Sequence, residues 1–202
     1  MPPVEPSRTS AGRPRSDALD EAILRAAFAE LGRVGYRGLT MEGVAAAAGT
    51  TKPSVYLRYR TKAELAARAL SHARDRSVAA PIPTGDLAAD LEAELAWFLT
   101  GVLRPNGLTL IGTVLAEQME QPELMAAFRE HVVTPRRARF RAVLDAAVER
   151  GALPAGAPVD EAVRALVGAV YAQALDGEPF DAGWPRRIVA LIVAGLGAPA
   201  TG

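Results

Sequence analysis

The stretch Thr40-Met41-Glu42-Gly43-Val44-Ala45-Ala46-Ala47-Ala48-Gly49-Thr50-Thr51-Lys52-Pro53-Ser54-Val55-Tyr56-Leu57-Arg58-Tyr59 holds two short helices joined by a glycine turn. Thr40 is a good N-cap for the first, which turns Met41, Val44, Ala45 and Ala48 inward and stops at Gly49. Thr51 caps the second, where Pro53 is harmless because first-turn N–H groups have no helical partner anyway. Ala45 is small where the helices must cross closely. At 100° per residue Val55 and Tyr59 share the inner face. Pro53, Ser54, Leu57 and Arg58 then fall on the outer half, with Tyr56 at the flank. This is the layout of a helix-turn-helix, whose second helix lies in the DNA major groove.

Roles follow from chemistry. The outer face offers an apolar contact to thymine methyls and, from Arg58, a donor pair for guanine. Thr40, Thr51, Tyr56 and Lys62 lie near helix ends, where they can bond phosphates, and Lys52 adds a cation there. Glu42 reads either as a carboxylate replacing a phosphate contact or as a favourable acid in a helix first turn.

Working outward, Ser16 is the expected cap of a helix with Leu19, Ile23, Ala27, Leu31 and Val34 at helical spacing, ended by Gly35 and Gly38. Residues 1–15 read as a flexible basic arm; Gly12-Arg13-Pro14-Arg15 suits a minor groove, or is simply a tail. Thr61-x-x-Glu64 is a capping box opening a helix from 62 to about 78. The head is thus 16–78, with the helix-turn-helix at about 40–59. Pro81-Ile82-Pro83-Thr84-Gly85 cannot continue a helix and marks the boundary.

Residues 86–202 read as a second helical domain. Helices are expected over 86–103, 108–120, 160–175 and 184–196. A segment over 122–150 should be kinked or split at Pro135. Half of the residues are apolar and strand signals are scarce, so the fold is expected to be all-α. Residues 1–78 hold 13 Lys+Arg against 8 Asp+Glu, whereas 79–202 hold 10 against 15. A basic head suits a polyanion and an acidic body does not.

The absence of cysteine excludes disulfides and thiolate chemistry. Apolar runs stop well short of the roughly 20 residues of a membrane span, so no membrane partner is expected. Residues 1–16 lack an apolar central run, so no leader is expected and the location reads as cytoplasmic. With two histidines on different helices and no HExxH, Gly-x-Ser-x-Gly or phosphate loop, no enzyme, metal site or cofactor is expected.

Ile23–Ala27, Gly35, Leu39-Thr40, Val44-Ala45, Ala48-Gly49, Ser54-Val55-Tyr56, Lys62 and Leu65 together resemble the DNA-binding domain of the TetR family of transcriptional repressors. The resemblance implies a helical N-terminal domain joined to a ligand-binding and dimerisation domain, acting as a homodimer on a palindromic double-stranded operator. It carries the family's DNA contacts onto Thr40, Ser54, Tyr56, Arg58 and Lys62. Arg58-Tyr59 departs from the His-Phe often found there, which bears on base preference.

For the body, the resemblance implies that helices 160–175 and 184–196 pair with their symmetry mates. Val163, Leu166, Val167, Val170, Ile188, Leu191 and Ile192 are the candidate interface, a simple core being the competing reading; Gly168, Ala172 and Gly195 would let backbones approach. Trp97, Phe98, Leu115, Met119, Met125, Phe128, Phe140, Tyr171 and Trp184 are candidates to line a pocket for a small, partly hydrophobic effector. Core packing competes for each. Arg136, Arg137, Arg139 and Arg141 form either a solvated face or an anion site. The functional expectation is a ligand-released repressor; an activator on the same fold, or a helical ligand-binding protein without DNA, are the alternatives.

Overall fold

A computed structural model describes residues 13–75, 79–103 and 107–197. Among these, the chain is helical without strands: α1 (Arg13–Gly38), α2 (Met41–Ala47), α3 (Lys52–Tyr56), α4 (Lys62–Asp75), α5 (Leu87–Val102), α6 (Gly107–Ala116), α7 (Pro122–Phe128), α8 (Thr134–Glu149), α9 (Val159–Asp176) and α10 (Trp184–Gly195). α1 starts ahead of Ser16, with Pro14 in its first turn, where a fixed φ favours helix. Residues 13–15 are therefore helical rather than part of an arm; the rest of the expected arm, like 76–78 and 104–106, lies outside the described residues. Gly35, at φ 67°, breaks α1 before its last turn.

The boundary at 81–85 does not separate the two cores. One core joins α1–α4 to Leu110 and Val114 of α6, Leu124, Met125 and Phe128 of α7, and Val132. The other joins α5, α8, α9 and α10. α4 explains the division. Its Ala63, Leu65, Ala66, Ala67 and Ala69 are all buried, so it is enclosed on more than one side, by α1 and by α7. A head of about 60 residues, with alanine at several of its buried positions, buries little apolar surface of its own and borrows α6 and α7.

Pro135 does not split its segment. Residues Arg129–Val133 form a π turn between α7 and α8, and the Thr134 N–H reaches the Arg129 carbonyl, five residues back. The wider turn relieves the proline's missing donor and the clash of its ring with the preceding turn.

The strap at 81–85 is held by a buried carboxylate. Asp90 Oδ1 accepts from the Thr84 N–H at 2.7 Å and the Thr84 hydroxyl at 2.8 Å, and Oδ2 accepts from the Gly85 N–H at 3.0 Å. Burial alone would raise the Asp90 pKa, but these donors outweigh it and hold it below the usual value. A lowered folded pKa means that the contribution is present above the unfolded value, about 4, and is lost as pH falls through the folded one. Asp90→Ala is therefore expected to cost about 2 kcal/mol at pH 7. In urea titrations from pH 7 down to 2 the gap between variant and wild type should close.

Candidate functional site

The two caps are made. Thr40 Oγ1 accepts from the Gly43 N–H at 3.0 Å and Thr51 Oγ1 from the Ser54 N–H at 3.4 Å. Gly49 turns the chain at φ 65°, a conformation that costs other residues strain. Val55 and Tyr59 are buried, and the Tyr59 hydroxyl donates to Asp20 Oδ1 at 2.6 Å, tying the end of α3 to α1. Burial first, and then this bond, push the Tyr59 pKa upward.

The exposed rim consists of Thr40, Thr51, Lys52, Pro53, Tyr56 and Leu57, with Leu57 84% exposed at its tip. Ser54 is half-buried, its Oγ 3.0 Å from Thr51 Oγ1. Lys52 pairs with Glu42 across the turn and lies 5.7 Å from the Tyr56 ring centre. Lys52 holds the Glu42 carboxyl below its usual range, and Glu42 raises Lys52. The acid in the first turn of α2 thus also binds the two helices together.

Arg58 does not project outward as expected, and Lys62, expected at a helix end within reach of a phosphate, is engaged inside the chain. Arg58 Nη1 donates to the Ser54 carbonyl at 3.1 Å, and its Nε lies 3.9 Å from Asp20. The 100° projection places Tyr59 inward as expected, but the Arg58 side chain folds back on the Ser54 carbonyl and toward Asp20 of α1, contacts that helical spacing does not announce. Lys62 Nζ donates to the Tyr36 carbonyl at 3.1 Å and sits 4.4 Å over the Tyr36 ring, a cation closing the end of α1. To reach DNA, each must leave an intramolecular partner. Asp20 and the Glu42–Lys52 pair were missed, because no local spacing announces a tie across 39 or 10 residues.

Two further regions complete the site. Val163, Leu166 and Val170 are fully buried inside their own chain, and Val167, Ile188 and Ile192 are half-buried. Val163, Leu166 and Val170 face the core that α9 and α10 share with α5 and α8, whereas Val167, Ile188 and Ile192 keep part of their surface, and Leu191 most of it, outside that core. The outward face carries Ala165, Gly168, Ala172 and Leu175 on α9, with Ala190, Leu191 and Ala194 on α10. Gly168 and Gly195 look onto open space.

A cavity of about 350 Å³ lies among α6, α7, the π turn, α8 and α9. Leu115, Met125, Phe128 and Tyr171 line it, with Ile111, Val133, Val167, Arg129, Arg136 and Arg137. The other pocket candidates lie elsewhere. Phe98 and Phe140 meet edge to face within the core at 6.3 Å, and Trp184 packs there against Phe180. Trp97 lies under Arg139 beside the strap, and Met119 is 87% exposed beyond α6. The arginine cluster is not a uniform solvated face: Arg136 is buried, Arg139 pairs with buried Glu94, and Arg141 pairs with Asp160.

Comparisons with known proteins agree with this architecture. Residues 23–69 match the family described as bacterial regulatory proteins, tetR family, and residues 81–192 match the tetracyclin repressor-like C-terminal domain. The chain is 34% identical over 182 residues to a DNA-binding transcriptional repressor TetR of Mycobacteroides abscessus, covering 87% of this chain and 92% of the relative. It is 35% identical to the uncharacterized HTH-type transcriptional regulator Rv1556 of Mycobacterium tuberculosis, covering 79% of this chain and 74% of that one. The crystal structure of the TetR family transcription regulator SCO0332 superposes with a TM-score of 0.71 at 30% identity, covering 88% of this chain and 97% of that one.

Proposed function

The chain belongs to the TetR family of helix-turn-helix transcriptional regulators, and from that premise we propose that it is a homodimeric repressor released from a palindromic operator by a small, partly hydrophobic effector. The observation that carries this reading is the exposed rim of α3, polar and cationic at Thr51 and Lys52 and apolar at Leu57, on a head fixed by its own caps. Pairing α9 and α10 with their symmetry mates holds two such rims at a fixed distance. A separation of roughly 34–36 Å matches successive major grooves.

The effector acts through α6. Ile111 and Leu115 of α6 line the cavity, and just beyond that helix Glu117 and Glu120 accept from Arg37 at 2.7 and 2.5 Å. Arg37 precedes the α2 cap, Thr40, by three residues. A ligand that displaces α6 therefore moves the head and changes the distance between the two reading helices. α4, enclosed between α1 and α7, transmits the same shift. The coupling is reciprocal, so operator DNA weakens effector binding by the same factor, about 5–150-fold for roughly 1–3 kcal/mol.

Selection from random duplexes tests the reading and should return an inverted repeat bound by two chains. Leu191→Arg, on the outward face of α10, is expected to shift the dimer to monomer mass in light scattering without loss of helix content. A protein that is monomeric and prefers no duplex would overturn the proposal.

A further inference from the structure

We infer that the effector cavity selects an uncharged, largely apolar molecule with one hydrogen-bond acceptor, such as a ketone or ester carbonyl, received by the Tyr171 hydroxyl; this rests on the cavity being the effector site. The walls are hydrocarbon almost throughout, from Ile111, Leu115, Met125, Phe128, Val133 and Val167. Tyr171 brings the one hydroxyl among the described lining residues. Its oxygen accepts from Arg136 Nη1 at 3.2 Å, and its ring meets Phe98 edge to face at 6.1 Å, so both parts of the side chain are held. A hydroxyl whose oxygen already accepts is polarised to donate. That leaves the Tyr171 proton for an acceptor on the ligand.

The arginines beside the cavity do not call for an anion. Arg136 is engaged within the chain by Tyr171 and lies 4.1 Å from the centre of the Phe98 ring, in the core. Arg129 is exposed to water, and half-buried Arg137 lies 4.0 Å from Asp160. A carboxylate entering between hydrocarbon walls would give up its hydration for little return. A neutral carbonyl loses far less, and one hydrogen bond offsets that loss. At about 350 Å³ the cavity is at the small end of the usual range, roughly 300–1,000 Å³. It has room for a chain of medium length or for one or two fused rings.

The larger space under the 81–85 strap, about 440 Å³, is a poorer candidate for such a molecule, because the charged Asp90, Glu94, Arg139 and Arg150 line it.

The test titrates the full-length protein, by calorimetry and thermal shift, with two matched sets: benzylacetone, butylbenzene and phenylbutanoate, and acetonaphthone, ethylnaphthalene and naphthoate. In at least one set the ketone should bind about a hundredfold or more tightly than the carboxylate, which is stripped of water against hydrocarbon, and should release operator DNA. Tyr171→Phe, which removes one oxygen and keeps the ring, should lower ketone affinity about fivefold, the size of one neutral hydrogen bond, and leave the hydrocarbon unchanged. In the wild-type protein the carbonyl stretch of the bound ketone should fall below its value in hexane, a mark of the donated hydrogen bond that needs no variant. Val167→Trp, filling the cavity, should abolish binding of ketone and hydrocarbon alike. A carboxylate binding as tightly as its ketone would overturn the proposal while leaving a ligand-released repressor intact. So would an unshifted carbonyl stretch, equal losses of ketone and hydrocarbon in Tyr171→Phe, or ketone binding that survives Val167→Trp. No binding by any probe, with operator selection preserved, would also overturn it; loss of operator selection in the wild-type protein would instead overturn the function on which it rests.

Discussion

Leu57→Asp is expected to leave the melting temperature of the protein unchanged and to lower affinity for a selected operator about 100-fold. The side chain is 84% exposed and immediately follows α3, so it supports nothing in the head. Surface substitutions of this kind normally change stability by less than about 0.5 kcal/mol. On DNA the same position is the tip of the reading element. The substitution removes an apolar contact and places a carboxylate in a groove walled by phosphates, a like-charge juxtaposition that costs several kcal/mol. About 3 kcal/mol corresponds to the factor of roughly 100. Leu57→Ala, which removes only the contact, should lose about tenfold. Fluorescence anisotropy at two salt concentrations checks both, beside a thermal melt of each variant. If Leu57→Asp bound as tightly as the wild type, the tip of α3 would not enter the groove.

This prediction uses a residue placed outward from sequence alone, and the reason it was legible is local. Caps at Thr40 and Thr51, the turn at Gly49 and the inward pair Val55 and Tyr59 depend on neighbours a few residues away. Arg58 shows where local reading ends: its side chain turns back to the Ser54 carbonyl and toward Asp20, a residue far away in the sequence. Pro135 likewise announced a disturbance but not its form, because a π turn and a break relieve the same clash.

Partition between cores was not legible. α6 and α7 follow the boundary in sequence, yet their apolar faces complete the alanine-rich head. Nor does apolarity alone say whether a helix face meets its own core or a second chain. On α9 the large residues Val163, Leu166 and Val170 turned inward, and the small ones, Ala165, Gly168 and Ala172, turned out.

Arg139→Ala is expected to destabilise the protein by about 3 kcal/mol, although Arg139 reads in sequence as one more surface cation. Its Nε donates to Glu94 Oε2 at 2.8 Å, Nη2 reaches Glu94 Oε1, and Nη2 also donates to the Pro81 carbonyl at 3.2 Å. The Glu94 side chain is only 5% exposed and that of Arg139 33%. Removing the arginine strands a carboxylate among apolar neighbours, at a cost of about 3–5 kcal/mol for a fully buried pair. Partial exposure of Arg139 admits water and places the expectation at the lower end. The guanidinium also lies 4.8 Å from the Trp97 ring centre, so its loss uncovers that face. Glu94→Gln in the Arg139→Ala background should recover most of the loss, because the stranded charge is then gone. Arg139→Met with Glu94→Leu should come close to wild type, since an apolar pair of similar size removes both charges together. Urea unfolding at pH 7 of the wild type, both single variants and the double variants completes the cycle. Equal losses in Arg139→Ala and in Arg139→Ala with Glu94→Gln would show that contact with Pro81 and Trp97, and not the stranded charge, sets the stability of this end of the body.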